Sequence, residues 1–127
     1  MKLLITGDNL SSIELINTIF QTTDPFITST CLYNQAEQII GQEKPDMILV
    51  DIDISTQDGL DMCSALHSYT TIPFIVLSVS NDPQFIAGIL NAGADDFLVK
   101  PISFNMLNAK INKILRRMNL YSQSITI

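Results

Sequence analysis

Residues Met47-Ile48-Leu49-Val50 form an unbroken apolar run, entered through Pro45-Asp46 and left through Asp51-Ile52-Asp53. A run this short, β-branched at two positions, reads as a strand buried on both faces, the central strand of a parallel sheet. In open α/β sheets, ligands bind just beyond the carboxyl ends of the strands. A carboxylate at the end of the most buried strand is therefore well placed for chemistry. The plainer reading is that Asp51 caps the strand end or a following turn.

The rest of the chain repeats the pattern. Leu3-Leu4-Ile5 is a first apolar run, ending at Thr6-Gly7-Asp8. Ser11 to Glu14 has capping-box spacing and opens a helix with Ile13, Ile16, Ile19 and Phe20 on one face. Asp24-Pro25 breaks it. Phe26 to Cys31 alternates Phe/Ile with Thr/Ser, which suits a strand nearer the sheet edge. Asn34 is expected to cap a short helix that Gly41 stops. After the central strand, Asp58 is expected to cap a helix through Leu60, Cys63 and Leu66. Pro73 leads into Phe74-Ile75-Val76-Leu77, which ends at Ser78. Asp82-Pro83 has cap and first-turn proline in the right order, and Gly93 ends that helix. Phe97-Leu98-Val99 is a fifth strand before Lys100-Pro101. Ser103 caps a last helix carrying Leu107, Ile111, Ile114, Leu115 and Met118. Strands alternating with helices imply an α/β fold: a doubly wound, five-stranded parallel sheet with helices on both faces. The expected strand order is the flavodoxin-like 2-1-3-4-5.

A chain of 127 residues fits one such domain. With 46% hydrophobic and 16% charged residues it is globular rather than disordered. A net charge of -6 argues against this domain gripping nucleic acid or an anionic membrane by itself. No apolar run approaches the roughly 20 residues that span a bilayer, and no signal peptide is evident, so a cytoplasmic location is expected. Cys31 and Cys63 follow no metal spacing, and a disulfide is not expected in that compartment. Cys63 reads as core. His67, the single histidine, reads as a surface helix residue without triad partners.

The strand ends collect a distinctive set: Asp8 after the first, Asp51 and Asp53 after the third, Ser78 after the fourth, Lys100 after the fifth. Right-handed crossovers bring these ends to one edge of the sheet. In the order 2-1-3-4-5, strands 1 and 3 flank the switch point, so Asp8 and Asp51 face each other across it. Carboxylates crowded there repel unless a cation joins them, and hard oxygen donors favour Mg2+. A hydroxyl and an ammonium complete a site for a phosphoryl group. No Gly-rich phosphate loop is present, so a carboxylate nucleophile that accepts the phosphoryl covalently is the economical reading. The alternative is that Lys100 simply neutralises buried acids.

The segment Ala92-Gly93-Ala94-Asp95-Asp96-Phe97-Leu98-Val99-Lys100-Pro101, together with Pro45 to Asp51 and Asp58-Gly59, resembles the receiver domain of two-component response regulators. The resemblance implies that Asp51 is phosphorylated by a partner sensor histidine kinase and that Asp8 is a magnesium ligand. It gives the Asp53 position a metal contact through its backbone carbonyl. It makes Ser78 the switch hydroxyl, Phe97 the aromatic that turns inward on activation, and Lys100 the phosphoryl-binding lysine. The peptide before Pro101 is usually cis in that family. Such a domain is a phosphate-holding switch rather than an enzyme that turns over substrate.

Three positions depart from the family pattern. Gly7 stands where a first acid is usual, Val79 where Ala or Gly is usual, and Ser55 where a proline is usual. The Asp53 carboxylate either supports the metal in place of the missing acid or points into solvent. The end of the last helix, Ala109 to Arg117, resembles the winged-helix (OmpR/PhoB) class of DNA-binding regulators. That resemblance implies a homodimer through the fourth helix, fifth strand and fifth helix, with Asp96 paired to Arg117 and Asp95 to a base on the last helix. Residues 1–118 are read as the receiver domain. Residues 119–127, which alternate polar and apolar from Ser124 on, are read as a linker or the first strand of a missing effector domain, through which alone DNA would be bound. The competing functions are a phosphorylation-independent receiver acting as a dimerisation module and a phosphatase resembling the haloacid dehalogenases, which also form an aspartyl phosphate.

Overall fold

The computed structural model describes residues 1–21, 26–52 and 56–126, without the side chains of Thr56 and of residues 120–126. Five parallel strands alternate with five helices: β1 (Lys2–Gly7), α1 (Leu10–Phe20), β2 (Ile27–Leu32), α2 (Ala36–Glu43), β3 (Met47–Ile52), α3 (Thr56–Tyr69), β4 (Phe74–Ser78), α4 (Pro83–Asn91), β5 (Asp96–Val99) and α5 (Phe104–Thr126). The sheet order is β2-β1-β3-β4-β5, as expected for a doubly wound fold. β3 lies in the middle and is buried at every residue, because helices cover it on both sides.

The period-2 alternation of the strands divides the core in two. Leu3, Ile5, Met47, Leu49, Ile75 and Leu77 point to one face, where α1 and α5 bring Ile13, Ile16, Leu107 and Ile111. Leu4, Ile48, Val50, Ile52, Phe74 and Val76 point to the other, against Ile40 of α2, Cys63 and Leu66 of α3, and Phe85 and Ile89 of α4. Both cysteines are free and buried, and burial pushes the Cys63 thiol up to about 12. His67 is exposed on α3.

Several expected helix ends move. Asn9, not Ser11, caps α1: its side-chain oxygen accepts the Ser12 N–H at 3.1 Å, which starts the helix a residue before the Ser11–Glu14 box. The Asp24-Pro25 break lies outside the described residues. Asn34 falls in a 3-10 turn, Tyr33–Gln35, that precedes α2. Gly41 does not stop α2, which runs on to Glu43; Lys44 ends it with a left-handed backbone (φ 49°), since Pro45 bars the residue before it from the right-handed helical region. Asp58 is not a cap but an acid in the first turn of α3, where it suits the helix dipole. The expected ends of α4 hold: the Asp82 carboxylate accepts the Gln84 N–H at 3.2 Å, and Gly93 follows with φ 124°. Ser103 caps α5. The strand expected from Ser124 on is not formed; α5 is helical to Thr126.

Candidate functional site

The site is built by strands that end in polar residues on one edge of the sheet. β1 ends at Gly7, which is level with Asp51 on β3, and Asp8 follows directly. Asp51 is level with Leu77, and Ile52 with Ser78. Ser78 is level with Val99, so Lys100 leaves β5 beside them; its N–H donates to the Ser78 carbonyl at 2.7 Å. The peptide between Lys100 and Pro101 is cis.

Asp51 is fully buried at 0% exposure, and the Lys100 ammonium makes an ion pair with its carboxylate. A buried carboxylate needs such a partner, since desolvation of a lone charge is costly. Asp8 is half-buried, and all four carboxylate oxygens of Asp8 and Asp51 are shielded from solvent. The Ser78 hydroxyl is buried, and its oxygen accepts the Ser80 N–H at 3.2 Å. Four of the sequence-derived residues, Asp8, Asp51, Ser78 and Lys100, are thus brought to one edge. The fifth, Asp53, and also Ser55, lie outside the described residues.

The donor set suits a hard divalent cation. Two carboxylates on adjacent strand ends, with shielded oxygens, match the one or two protein carboxylates that Mg2+ commonly takes. Among the described residues, no cluster of three or more Asp, Glu, His or Cys side chains surrounds a single point. Asp8 and Asp51 are therefore the described pair that would hold the ion.

Gly7, Phe97 and Val79 take definite places around this edge. A Cβ built at Gly7 would lie 2.4 Å from the Asp51 backbone oxygen, so an acid cannot be put back at position 7 without moving Asp51. Phe97, expected to turn inward on activation, is inward in this structure. It is 7% exposed and packs edge-to-face on Phe85, ring centroids 6.0 Å apart. The contact removes both rings from water. Val79, which stands where Ala or Gly is usual, is 65% exposed and projects to solvent at the rim.

Phe85 was not singled out from the sequence. Its only signal is the four-residue spacing to Ile89 on one helix face, which does not distinguish it from ordinary core. The acids expected to pair across a dimer are engaged within the chain. The Asp95 carboxylate accepts the Phe74 N–H at 2.9 Å, and Asp96 pairs with Lys110 of the same chain at 3.0 Å. Lys110 lies in the second turn of α5 and its ammonium donates to Asp96 directly.

Comparison with known proteins agrees with this geometry. The sequence profile described as the response regulator receiver domain matches residues 3–112. The transcriptional regulatory protein KdpE of Staphylococcus aureus is 33% identical over 91% of this chain and 50% of its own length. The sensory transduction protein BceR of Halalkalibacterium halodurans is 37% identical over 65% of this chain and 36% of its own length. The chain thus spans about half or less of the length of these curated relatives. A two-component response regulator from Clostridium difficile superposes with a TM-score of 0.77 at 31% identity, covering 94% of this chain and 98% of that one.

Proposed function

The chain belongs to the response regulator receiver domain family, and on that footing we propose that it accepts a phosphoryl group on Asp51 from a sensor histidine kinase. The observation that carries this reading is the wholly buried Asp51 carboxylate, paired with Lys100 beside the shielded oxygens of Asp8. An Asp51 oxygen forms the O–P bond as the N–P bond of a phosphohistidine breaks, and the imidazole leaves with that electron pair. Asp8 and Asp51, with Asp53, would hold magnesium, which when bound would offset charge on the phosphoryl oxygens. Lys100 exchanges its partner from carboxylate to phosphoryl oxygen, and the Ser78 hydroxyl leaves the Ser80 N–H to donate to another.

The output follows the same footing. A homodimer on α4, β5 and α5 would control a DNA-binding effector of the winged-helix class, and its cytoplasmic setting is that of a partner for the kinase. No described helix is long and apolar enough to cross a membrane. Leu90, Val99 and Met106 are exposed on these elements, and Asp96 is held by Lys110 in its own chain. Apolar contact rather than cross-dimer ion pairing is therefore the stronger term. Residues 119–127 serve as the linker to the effector.

One observation bears on a second reading, a dimerisation module that works without phosphorylation: the Phe97 ring is buried against Phe85. Mixing the domain with magnesium and acetyl phosphate or beryllofluoride separates the two. Phosphorylation of wild type and none of Asp51→Asn is the expected result. An unmodified wild type that dimerises regardless favours the second reading, and turnover of a phosphatase substrate favours the enzyme.

A further inference from the structure

Gly7 is not needed for backbone freedom. Among the described glycines, positive φ occurs at Gly93 and not at Gly7, which is an ordinary strand residue. What sets it apart is space. A Cβ there would meet the Asp51 backbone oxygen at 2.4 Å, the Asp51 Cβ at 3.1 Å and its carbonyl carbon at 3.3 Å. All three nearest atoms belong to the proposed acceptor, and the tightest contact is with backbone rather than the loose end of a side chain.

The clash cannot be relieved by moving β1. On its other side β1 is paired with β2 through to the Gly7–Leu32 level, and on this side with β3 from Leu3–Met47 to Gly7–Asp51. Its inner residues Leu3, Leu4 and Ile5 are fully buried. Close-packed interiors transmit such strain rather than absorb it. β3 is held in the same way between β1 and β4, so relief must come from parting the two strand ends at Gly7 and Asp51. Displacing the Asp51 peptide and Cβ re-aims the carboxylate that meets Lys100 and neighbours Asp8.

We propose that Gly7 is a positioning residue for Asp51: its missing Cβ fixes where the acceptor carboxylate lies, and a carboxylate introduced at position 7 displaces the acceptor instead of adding a metal ligand. The inference rests on Asp51 being the acceptor. It reverses the simple expectation that a more acidic pocket would hold magnesium more tightly.

The test compares wild type with Gly7→Ala, Gly7→Asp and the core control Ile114→Val. The readouts are the Asp51 carboxyl 13C resonance in metal-free protein, magnesium affinity by calorimetry and the melting temperature. Both Gly7 variants should move the resonance and weaken magnesium by about tenfold, the lower end of what disturbing the orientation of a metal ligand costs in affinity. Gly7→Asp should bind no more tightly than Gly7→Ala. Ile114→Val should lower only the melting temperature, which separates a positioning role from a merely structural one. A Gly7→Ala protein with wild-type resonance and affinity overturns the proposal, as does a Gly7→Asp protein that binds magnesium more tightly than wild type. If wild type itself takes no magnesium, the metal-dependent reading fails, and the resonance still decides the positioning claim: moved supports it, unmoved overturns it. Gly7→Ala adds a single methyl group and carries the test if Gly7→Asp does not fold.

Discussion

Lys100 and Asp51 illustrate how charge is handled one residue at a time. The carboxylate is fully buried, and the ammonium is its ion-pair partner. Removing one member of a buried pair typically costs about 3–5 kcal/mol, whereas replacing both costs much less. Lys100→Ala should therefore destabilise by about 3 kcal/mol, and Asp51→Asn in the same chain should recover most of that. Urea unfolding of the single and double variants checks it; a double variant as unstable as Lys100→Ala would sink the idea. Ser78→Ala removes one acceptor for the Ser80 N–H and should cost about 1 kcal/mol. The placement of Asp8, Asp51, Ser78 and Lys100 at one edge was legible in the sequence because each is a polar residue at or just beyond the end of an apolar run. Phe85 was not, because an apolar helix residue carries no mark of which strand residue it will meet. The steric role of Gly7 was not legible either: the sequence shows a missing acid, and only the strand register shows what occupies its place. Asp53 adds a separate expectation. If its carboxylate supports the metal, Asp53→Asn weakens magnesium, and Asp8→Asn, which removes a direct ligand, weakens it further. Calorimetry that finds Asp53→Asn equal to wild type would leave Asp53 in solvent.

At the scale of elements, α4 and β5 are coupled through Phe85 and Phe97, both buried and packed edge-to-face. Removing a buried phenyl ring costs about 3–5 kcal/mol, so Phe97→Ala should fall in that range by urea unfolding. Phe85→Leu should loosen Phe97 and make dimerisation depend more on beryllofluoride than in wild type. Sedimentation of both proteins with and without the mimic measures this; an unchanged dependence would show that Phe85 does not hold the ring. The same face predicts a weak response to salt. Asp96 is already paired with Lys110, while Leu90 and Met106 stand 41% and 53% exposed. Apolar contacts are not screened by added salt as exposed ion pairs are. Met106→Glu should therefore disrupt the dimer more than Lys110→Met does, by sedimentation at matched concentration. Helix interiors were legible from apolar spacing, but three starts were not. Asn9, the 3-10 turn at Tyr33–Gln35 and Thr56 each begin structure where a neighbouring polar residue competes for the same role. The choice among them is made by tertiary position, not local propensity.

For the whole molecule, the two-sided core explains both what could be read and one consequence for pH. Strand order and the division of helices follow from the βα alternation and the handedness of crossovers, which is why the architecture was legible. The continuation of α5 was not: Ser124 to Thr126 alternates like a strand, yet the helix runs through Thr126. A period of two over so few residues cannot outweigh extension of a helix already formed. On the α2–α4 side, Cys63 is wholly buried, and burial pushes its thiol from 9.0 up to about 12. The unfolded chain releases this proton near the ordinary value while the native chain keeps it. Between the two values the unfolded state binds fewer protons, so stability falls as pH rises, by about 1.4 kcal/mol per pH unit for one group. The contribution is complete below the ordinary thiol value and is lost on the way to the native one. Tyr69, pushed from 10.0 to about 12 by burial, adds the same sign higher up. Urea midpoints under reducing conditions, followed from about pH 7 to about pH 11, should stay level at first and then decline. Cys63→Ala should start lower, because it leaves a cavity, yet decline less steeply until Tyr69 begins to ionise. Parallel declines in the two proteins would mean that the Cys63 thiol does not set this edge of the stability profile.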